Sequence, residues 1–315
     1  MERTGIPRHE AWTVEYLADP YLRRATTDEL HDRMRDLFLN VLTLTTGMKV
    51  GVLTRDDGMS LFRLVNDVFA EMRQRFGPYP SGFRVGFLEG LRIPSPRARD
   101  AEQAVVATRG RGGGAGHLLV KYGKREHMER LVDRGEIRLA GAISYRDPSL
   151  NSAVRDDELE VSARLRGVDL RVWAGRERRV LLARGSGDVE VTVASKTDFY
   201  AYCLSTALVS RMFLDFEADA CVLIRDREEF VRRFRAALGS RLGEWRLSQG
   251  DVVYVDPWNP RDVPQEPYFA KHFKYGYQRE HRLVALPPRA MERLDPVPLD
   301  LGNLRGICEL LLLHP

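Results

Sequence analysis

Residues 117–140, HLLVKYGKREHMERLVDRGEIRLA, decide the fold. HLLVKYG reads as a strand, and REHMERLVDRG reads as a helix of about three turns closed by Gly135. EIRLA is a second strand. That strand–helix–strand order is not repeated downstream. Ser144 to Glu160 is polar and loop-like, and the runs VDLRVWAG, RRVLLARG and VEVTVAS then alternate between Gly-containing turns, a pattern of antiparallel hairpins. Farther on, FYAYCLST, ACVLIRD, DVVYVDP, REHRLVALP and GICELLLL read as strands around one helix, EEFVRRFRAALG. A regular βαβ repeat is missing, which counts against a Rossmann or doubly wound sheet. The expectation is an α+β domain dominated by antiparallel sheet.

Upstream, residues 94–116 (PSPRARDAEQAVVATRGRGGGAG) combine a Pro/Arg-rich start with a Gly-rich end and read as a linker or mobile loop. A phosphate cradle is the alternative, but no GKS, GKT or helix-opening G-x-G-x-x-G accompanies it; Arg109 and Arg111 remain candidates to touch a phosphate backbone. The first 93 residues read as helical. Thr26 and Glu29 fit a capping box, and Leu30, Met34, Leu37, Phe38, Val41 and Leu42 follow at helical spacing until Gly47. A second stripe from about Ser60 carries Leu61, Leu64, Val65, Val68, Phe69 and Met72 and stops at Gly77-Pro78. The expected organisation is therefore a helical domain (1–93), a linker (94–116) and an α+β domain (117–315).

The chain has 315 residues with 49 Lys+Arg and 45 Asp+Glu, so its net charge is +4 and its pI is near 9.0. A mildly basic balance permits an anionic partner without identifying one. No apolar run approaches a membrane span and no signal-peptide h-region follows MERTGIPRHE, so a cytoplasmic location is expected. Cys203, Cys221 and Cys308 are an odd number at wide spacings, which suits reduced core thiols. None of the seven histidines forms a metal-ligand spacing, and G-x-S-x-G is missing, so no metal site and no serine-hydrolase elbow are expected.

Chemistry concentrates in Tyr268–Leu286, YFAKHFKYGYQREHRLVAL. On a strand through it, the two-residue period puts Gln278, Glu280 and Arg282 on one face and Tyr277, Arg279 and His281 on the other. A carboxylate beside a guanidinium on an apolar strand is either a structural ion pair or a site, because burying an unpaired carboxylate costs several kcal/mol.

Gln278-x-Glu280 resembles the Q-x-E ending of ADP-ribosyltransferases, Ser205-Thr206 after FYAYCL resembles their middle Ser-Thr element, and LLVKYG stands where their first motif lies, with Lys121-Tyr122 in place of the usual Arg or His. More closely, K-Y, Asn151 with Asp156, Asp157 and Glu158, C-x-S-T, Met212-Phe213 and a final K-x(6)-Q-x-E-x-R resemble uncharacterised bacterial domains related to abortive-infection proteins. The resemblance covers roughly residues 117–312 and leaves the N-terminal helices unexplained.

That resemblance implies NAD as substrate. Cleaving the nicotinamide–ribose bond develops oxocarbenium character, which a carboxylate hydrogen-bonded to ribose hydroxyls stabilises. Glu280 would be that catalytic carboxylate and Gln278 would orient the acceptor. Lys121 would contact diphosphate or ribose, Ser205 and Thr206 would hold the strand edge and the ribose or nicotinamide, and Tyr122, Tyr275 or Tyr277 would stack on a ring. Arg282 has two readings, a phosphate contact or the partner that keeps Glu280 ionised.

Three functions follow. The first is a toxin or phage-defence effector that transfers ADP-ribose to a protein or nucleic acid, or to water. The second is a module of the same fold that binds nucleotide or nucleic acid without turnover, for which Lys121 is the distinguishing feature. The third is a metal-dependent nucleic-acid-processing enzyme using the acidic run Asp156, Asp157, Glu158 and Glu160. The N-terminal helices would serve as a cap, an oligomerisation element or a surface for a regulatory partner.

Overall fold

The computed structural model describes residues 6–45, 49–52, 56–78, 100–101, 103–106, 118–151, 153–166, 171–174, 179–182, 188–260 and 266–313. They fall into two compact units, Met1–Pro94 and Ser95–Pro315.

In the first unit, α1 (Arg8–Ala18) and α2 (Thr27–Val41) both pack on α3 (Asp56–Phe76). The capping box forms: the Thr26 N–H donates to Glu29 Oε2 at 2.7 Å and the Glu29 N–H donates to Thr26 Oγ1 at 3.2 Å. Leu30, Met34, Leu37 and Val41 are buried as their spacing requires. The helix ends at Val41, however, short of Gly47. Leu42 opens a hairpin of β1 (Leu42–Thr45) and β2 (Lys49–Val52), because the β-branched run Thr43, Thr45, Val50 and Val52 favours extended backbone. On α3, Val65, Val68 and Met72 are buried, whereas Phe69 is 47% exposed and leaves the expected stripe. Gly77, at φ 78°, ends the helix.

The second unit begins earlier than the sequence indicated. Residues 100–101 and 103–106, expected as linker, are helical (α4), and Ala101 and Val105 are buried in an apolar cluster with Val120, Tyr122, Met212 and Phe213. The Gly-rich run, with Arg109 and Arg111, lies outside the described residues.

An eight-stranded antiparallel sheet forms the body of this unit. Along the chain come β3 (Leu119–Gly123), α5 (Arg125–Arg134) and β4 (Glu136–Gly141). The pair β5 (Glu160–Arg166) and β8 (Asp188–Ala194), and the hairpin β6 (Arg171–Ala174) and β7 (Arg179–Leu182), make two-stranded ladders outside the large sheet. Then follow β9 (Tyr200–Ser205), α6 (Ser210–Asp215), β10 (Ala220–Ile224), α7 (Arg227–Leu242) and β11 (Arg246–Asp251). A parallel pair, β12 (Val253–Val255) with β13 (Ala270–His272), precedes β14 (Glu280–Leu286), β15 (Val297–Asp300) and β16 (Cys308–Leu312). The large sheet runs β11-β14-β9-β3-β10-β16, with β4 also paired to β9 and β15 paired to β4.

The two faces bury different clusters, as the two-residue period demands. Tyr202, Leu204, Leu283 and Ala285 meet Phe230, Phe234 and Leu238 of α7 and Leu131 of α5 on one face. Ala201 and Val284 face the other way, against Phe199 and Tyr268.

One irregularity places the site. Strand β9 pairs along one edge with β14 from Glu280↔Ser205 to Ala285↔Tyr200. Its other edge is divided: Ser205 pairs with Val120 of β3, while Ala201 and Tyr200 pair with Ala140 and Gly141 of β4. Between the two branches, the Cys203 carbonyl takes its hydrogen bond from the Lys121 ammonium at 2.9 Å.

Candidate functional site

A cleft of about 270 Å³ opens at this split and is lined by Lys121, Tyr122, Ser205, Gln278 and Glu280 of the expected residues. Tyr145, Glu158, Cys203 and Lys271 line it as well. Thr206, Arg282 and Tyr277, also expected at the site, are not among its lining residues.

Glu280 is the first residue of β14, directly opposite Ser205 at the end of β9. The expected strand does not run back through Gln278. Residues Phe273–Gln278 form a 3₁₀ turn, and Arg279 takes the left-handed conformation (φ 46°, ψ 55°) that reverses the chain into the strand. Glu280 and Arg282 share a strand face as predicted, whereas Gln278 reaches the same neighbourhood from a turn.

Lys271 draws these groups together. Its Nζ lies 2.7 Å from Glu280 Oε1, 3.1 Å from Gln278 Oε1, 3.5 Å from Glu158 Oε1 and 3.9 Å from Asp156 Oδ2. It is 4% exposed and also lies over the Tyr275 ring. Arg282, 0% exposed, donates from Nε to Glu280 Oε2 at 2.9 Å and from Nη1 to the Tyr268 carbonyl at 3.0 Å, and its Nη2 pairs with Glu158 Oε2. Of its two expected roles, this geometry is that of the ion-pair partner. Two carboxylates and two cations thus alternate inside the protein, an arrangement tolerable because each charge faces an opposite one.

The electrostatics follow. Burial pushes the Glu280 carboxyl upward, but Lys271 and Arg282 outweigh it and hold the group below the ordinary carboxylate range. Burial lowers Lys271, and the surrounding carboxylates more than reverse that. Asp156, at the edge of the cluster, is pushed up to about 6 by burial, with Lys271 only partly compensating. Lys121 has no carboxylate within ion-pair distance among the described residues, and burial lowers it.

Other expected site residues are spent on the scaffold. The Gln278 amide is 0% exposed: Oε1 accepts from Lys271 and Nε2 donates to the Ala153 carbonyl at 2.8 Å. It therefore braces the 153–158 segment against Lys271 and does not present itself to an incoming acceptor. Ser205 Oγ donates to the Gln278 carbonyl at 2.8 Å, and Thr206 Oγ1 donates to the Arg279 carbonyl at 3.2 Å, so the Ser-Thr pair fastens the turn that precedes Glu280. The Tyr122 hydroxyl accepts from the Val209 N–H at 2.8 Å and donates to the Ala207 carbonyl at 3.1 Å. Tyr277 carries the Arg211 guanidinium 3.7 Å from its ring centre.

The acidic run is splayed: Asp157 pairs with Arg146 at 2.7 Å, Glu158 points into the cleft and Glu160 starts β5. Among the described residues no three His, Cys, Asp or Glu side chains group as a metal site. Burial raises the cysteine thiols, Cys203 to about 11 and Cys308 to about 12; Cys221 and Cys308 are buried as expected of core thiols, whereas Cys203 is half-buried and lines the cleft.

Sequence reasoning passed over Lys271 and gave Glu158 to a different function. Lys271 is the first position of the K-x(6)-Q-x-E-x-R pattern, so the signal was present as spacing. No helix among the described residues is long and apolar enough to cross a membrane. Comparison with protein-family models, with curated proteins and with solved structures gives no match.

Proposed function

We propose that the Ser95–Pro315 unit is an ADP-ribosyltransferase-like enzyme that cleaves the nicotinamide–ribose bond of NAD and passes ADP-ribose to a macromolecule or to water, acting as a toxin or phage-defence effector inside the cell. The observation that carries this reading is Glu280: an ionised carboxylate on a small cleft, fixed at both oxygens by Lys271 and Arg282. Arg282 approaches Oε2 through both Nε and Nη2, whereas Oε1 takes the Lys271 ammonium and keeps a lone pair that can accept a ribose hydroxyl. A preorganised anion of this kind stabilises positive charge developing at the sugar without reorganising. At about 270 Å³ the cleft is at the small end of ligand sites, so it suits one ring or one sugar of the dinucleotide, with the remainder lying outside it.

The test is release of free nicotinamide from NAD by the purified full chain. Glu280→Gln should slow release by about 10²-fold or more. A folded wild-type protein that releases none above the uncatalysed blank removes the reading.

A second reading is a binding module of the same fold that has lost turnover. It is favoured by the internal use of Lys121 on the Cys203 carbonyl and of Gln278 on Ala153. NAD binding by calorimetry without nicotinamide release would establish it.

A further inference from the structure

The cleft holds a second carboxylate whose position the Glu280 chemistry leaves unused. Glu158 is 3% exposed and lines the same cleft as Glu280. It shares both cations with Glu280: Oε2 faces Arg282 Nη2, and Oε1 stands 3.5 Å from Lys271 Nζ, which is closer to Glu280 and Gln278. Glu158 thus pairs with both cations, yet its Oε1 takes no hydrogen bond among the described residues. A carboxylate oxygen with no hydrogen-bond donor closer than an ammonium at 3.5 Å, on the wall of a cleft beside a carboxylate suited to stabilise an oxocarbenium ion, has the position of a base.

We infer that Glu158 is the catalytic base that takes the proton from the group attacking the ribose; this rests on the NAD reading above. In the step, the bond between ribose C1′ and the nicotinamide nitrogen breaks and its electron pair leaves with neutral nicotinamide. A hydroxyl oxygen of water or of the acceptor bonds to C1′, and its proton passes to the Glu158 carboxylate and then to solvent. With water the sum is NAD⁺ and water giving ADP-ribose, nicotinamide and one proton. Glu280 and Glu158 thus divide the work: one stays an anion throughout, and the other accepts the proton. The role also gives the 153–158 segment a function, because Gln278 and Lys271 brace it where Glu158 must stand.

The experiment compares wild type, Glu158→Gln, Glu158→Asp and Glu280→Gln in the full chain. It follows nicotinamide release with and without added azide, an anionic nucleophile that needs no base, and identifies the ribosyl product by mass. Glu158→Gln should lose about 10²-fold or more of the rate in water. Azide should restore much of it and yield the ribosyl azide, while Glu280→Gln gains nothing. Glu158→Asp keeps the charge that pairs Lys271 and Arg282; it should melt near wild type, remain partly active and not respond to azide. If Glu158→Gln turns over at the wild-type rate, or is slow and azide does not restore it although its melting shows a folded protein, Glu158 is an ion-pair residue only and the inference falls while the NAD reading stands. If the wild type itself releases no nicotinamide, both fall.

Discussion

Lys271 Nζ sits 2.7 Å from Glu280 Oε1 across nine residues of chain, and the turn between them, Phe273–Gln278, does not separate them but folds them together. Lys271 lies on β13, a three-residue strand outside the large sheet, and Glu280 begins a sheet strand. The pair therefore ties the small β12–β13 ladder to the cleft by charge. Lys271 also takes part in orienting Gln278, together with the Ala153 carbonyl, and in keeping Glu280 ionised, together with Arg282.

Removing the ammonium should be more damaging than removing any other single side chain of the cleft. Lys271→Met leaves Glu158 and Glu280 buried with only Arg282 between them, an uncompensated charge worth about 3–5 kcal/mol. Urea denaturation of the full chain should show a midpoint loss of that size. Lys271→Arg, which keeps the charge at the cost of crowding, should lose less. If Lys271→Met is as stable as wild type, the ion cluster does not hold the cleft.

Asp156 and Glu280 should impose opposite pH dependences. For Asp156 the folded pKa, about 6, is above its ordinary 3.8, so the folded state binds more protons across that interval and stability falls as pH rises through it. Burial is the main cause; Lys271, Arg282 and Lys274 oppose it and Glu158 adds to it. Glu280, held low, gives stability that is present above its ordinary range and is lost as pH falls below it. Wild-type stability should thus decline between about pH 4 and pH 6, by about 1–3 kcal/mol, and Asp156→Asn should flatten that interval. A wild-type curve that rises steadily from pH 4 to pH 7 and is unchanged by Asp156→Asn would refute the assignment.

The architecture was legible where pattern and period agree. The apolar runs ACVLI and LVAL, buried on both faces, the alternation in VEVTVAS and the helix ended by Gly135 are strong local signals, and the antiparallel α+β class follows from them. Strand β11, RLSQGD, was not read because an edge strand with one packed neighbour needs little apolar content. The helical residues 100–101 and 103–106 give no periodicity, because of those described only Ala101 and Val105 are buried. At the site, Gln278 and Glu280 were found but joined by a strand that the left-handed Arg279 interrupts. Glu158 and Lys271 lie 113 positions apart in the chain, a separation no local pattern spans.

Gly135 should tolerate no side chain. It closes α5 in the left-handed conformation (φ 69°), and a Cβ there would stand 2.3 Å from the Gly302 carbonyl oxygen, which is backbone and cannot rotate away. The Leu301 N–H donates to the Gly135 carbonyl at 3.0 Å, so the two loops are also joined by hydrogen bonding. Gly135→Ala should therefore cost about 3 kcal/mol or more, beyond the usual range for a surface turn. Gly243→Ala is the comparison: its backbone (φ 68°, ψ −119°) also strains a side chain, but its surround is open, so its cost, about 1–3 kcal/mol of backbone strain, should stay below that of Gly135→Ala. Equal melting temperatures for the two variants would contradict the close approach at Gly302.

In the N-terminal unit one side chain secures the turn between α1 and α2. Arg75, on the last turn of α3, donates to the carbonyls of Ala25 at 2.6 Å, Leu22 at 2.9 Å and Arg23 at 3.0 Å, while its Nε pairs with Glu71 at 2.7 Å. Glu71 in turn accepts from the buried Tyr16 hydroxyl of α1. Replacing Arg75 by Met keeps the length of the stem but removes the side-chain donor from the Ala25 and Arg23 carbonyls, and leaves the Leu22 carbonyl with the Ala25 N–H and the buried Glu71 carboxylate with Tyr16. Hydrogen bonds to a charged group are worth about 1.5–3 kcal/mol each in net terms, and the carbonyls can partly turn to water, so a total loss of about 2–4 kcal/mol is expected. Tyr16→Phe removes one donor to the same carboxylate and should cost about 1 kcal/mol. Because the two substitutions share Glu71, their effects should not add. A double variant whose loss equals the sum of the single losses, measured by denaturation of the full chain, would show that Tyr16 and Arg75 act separately.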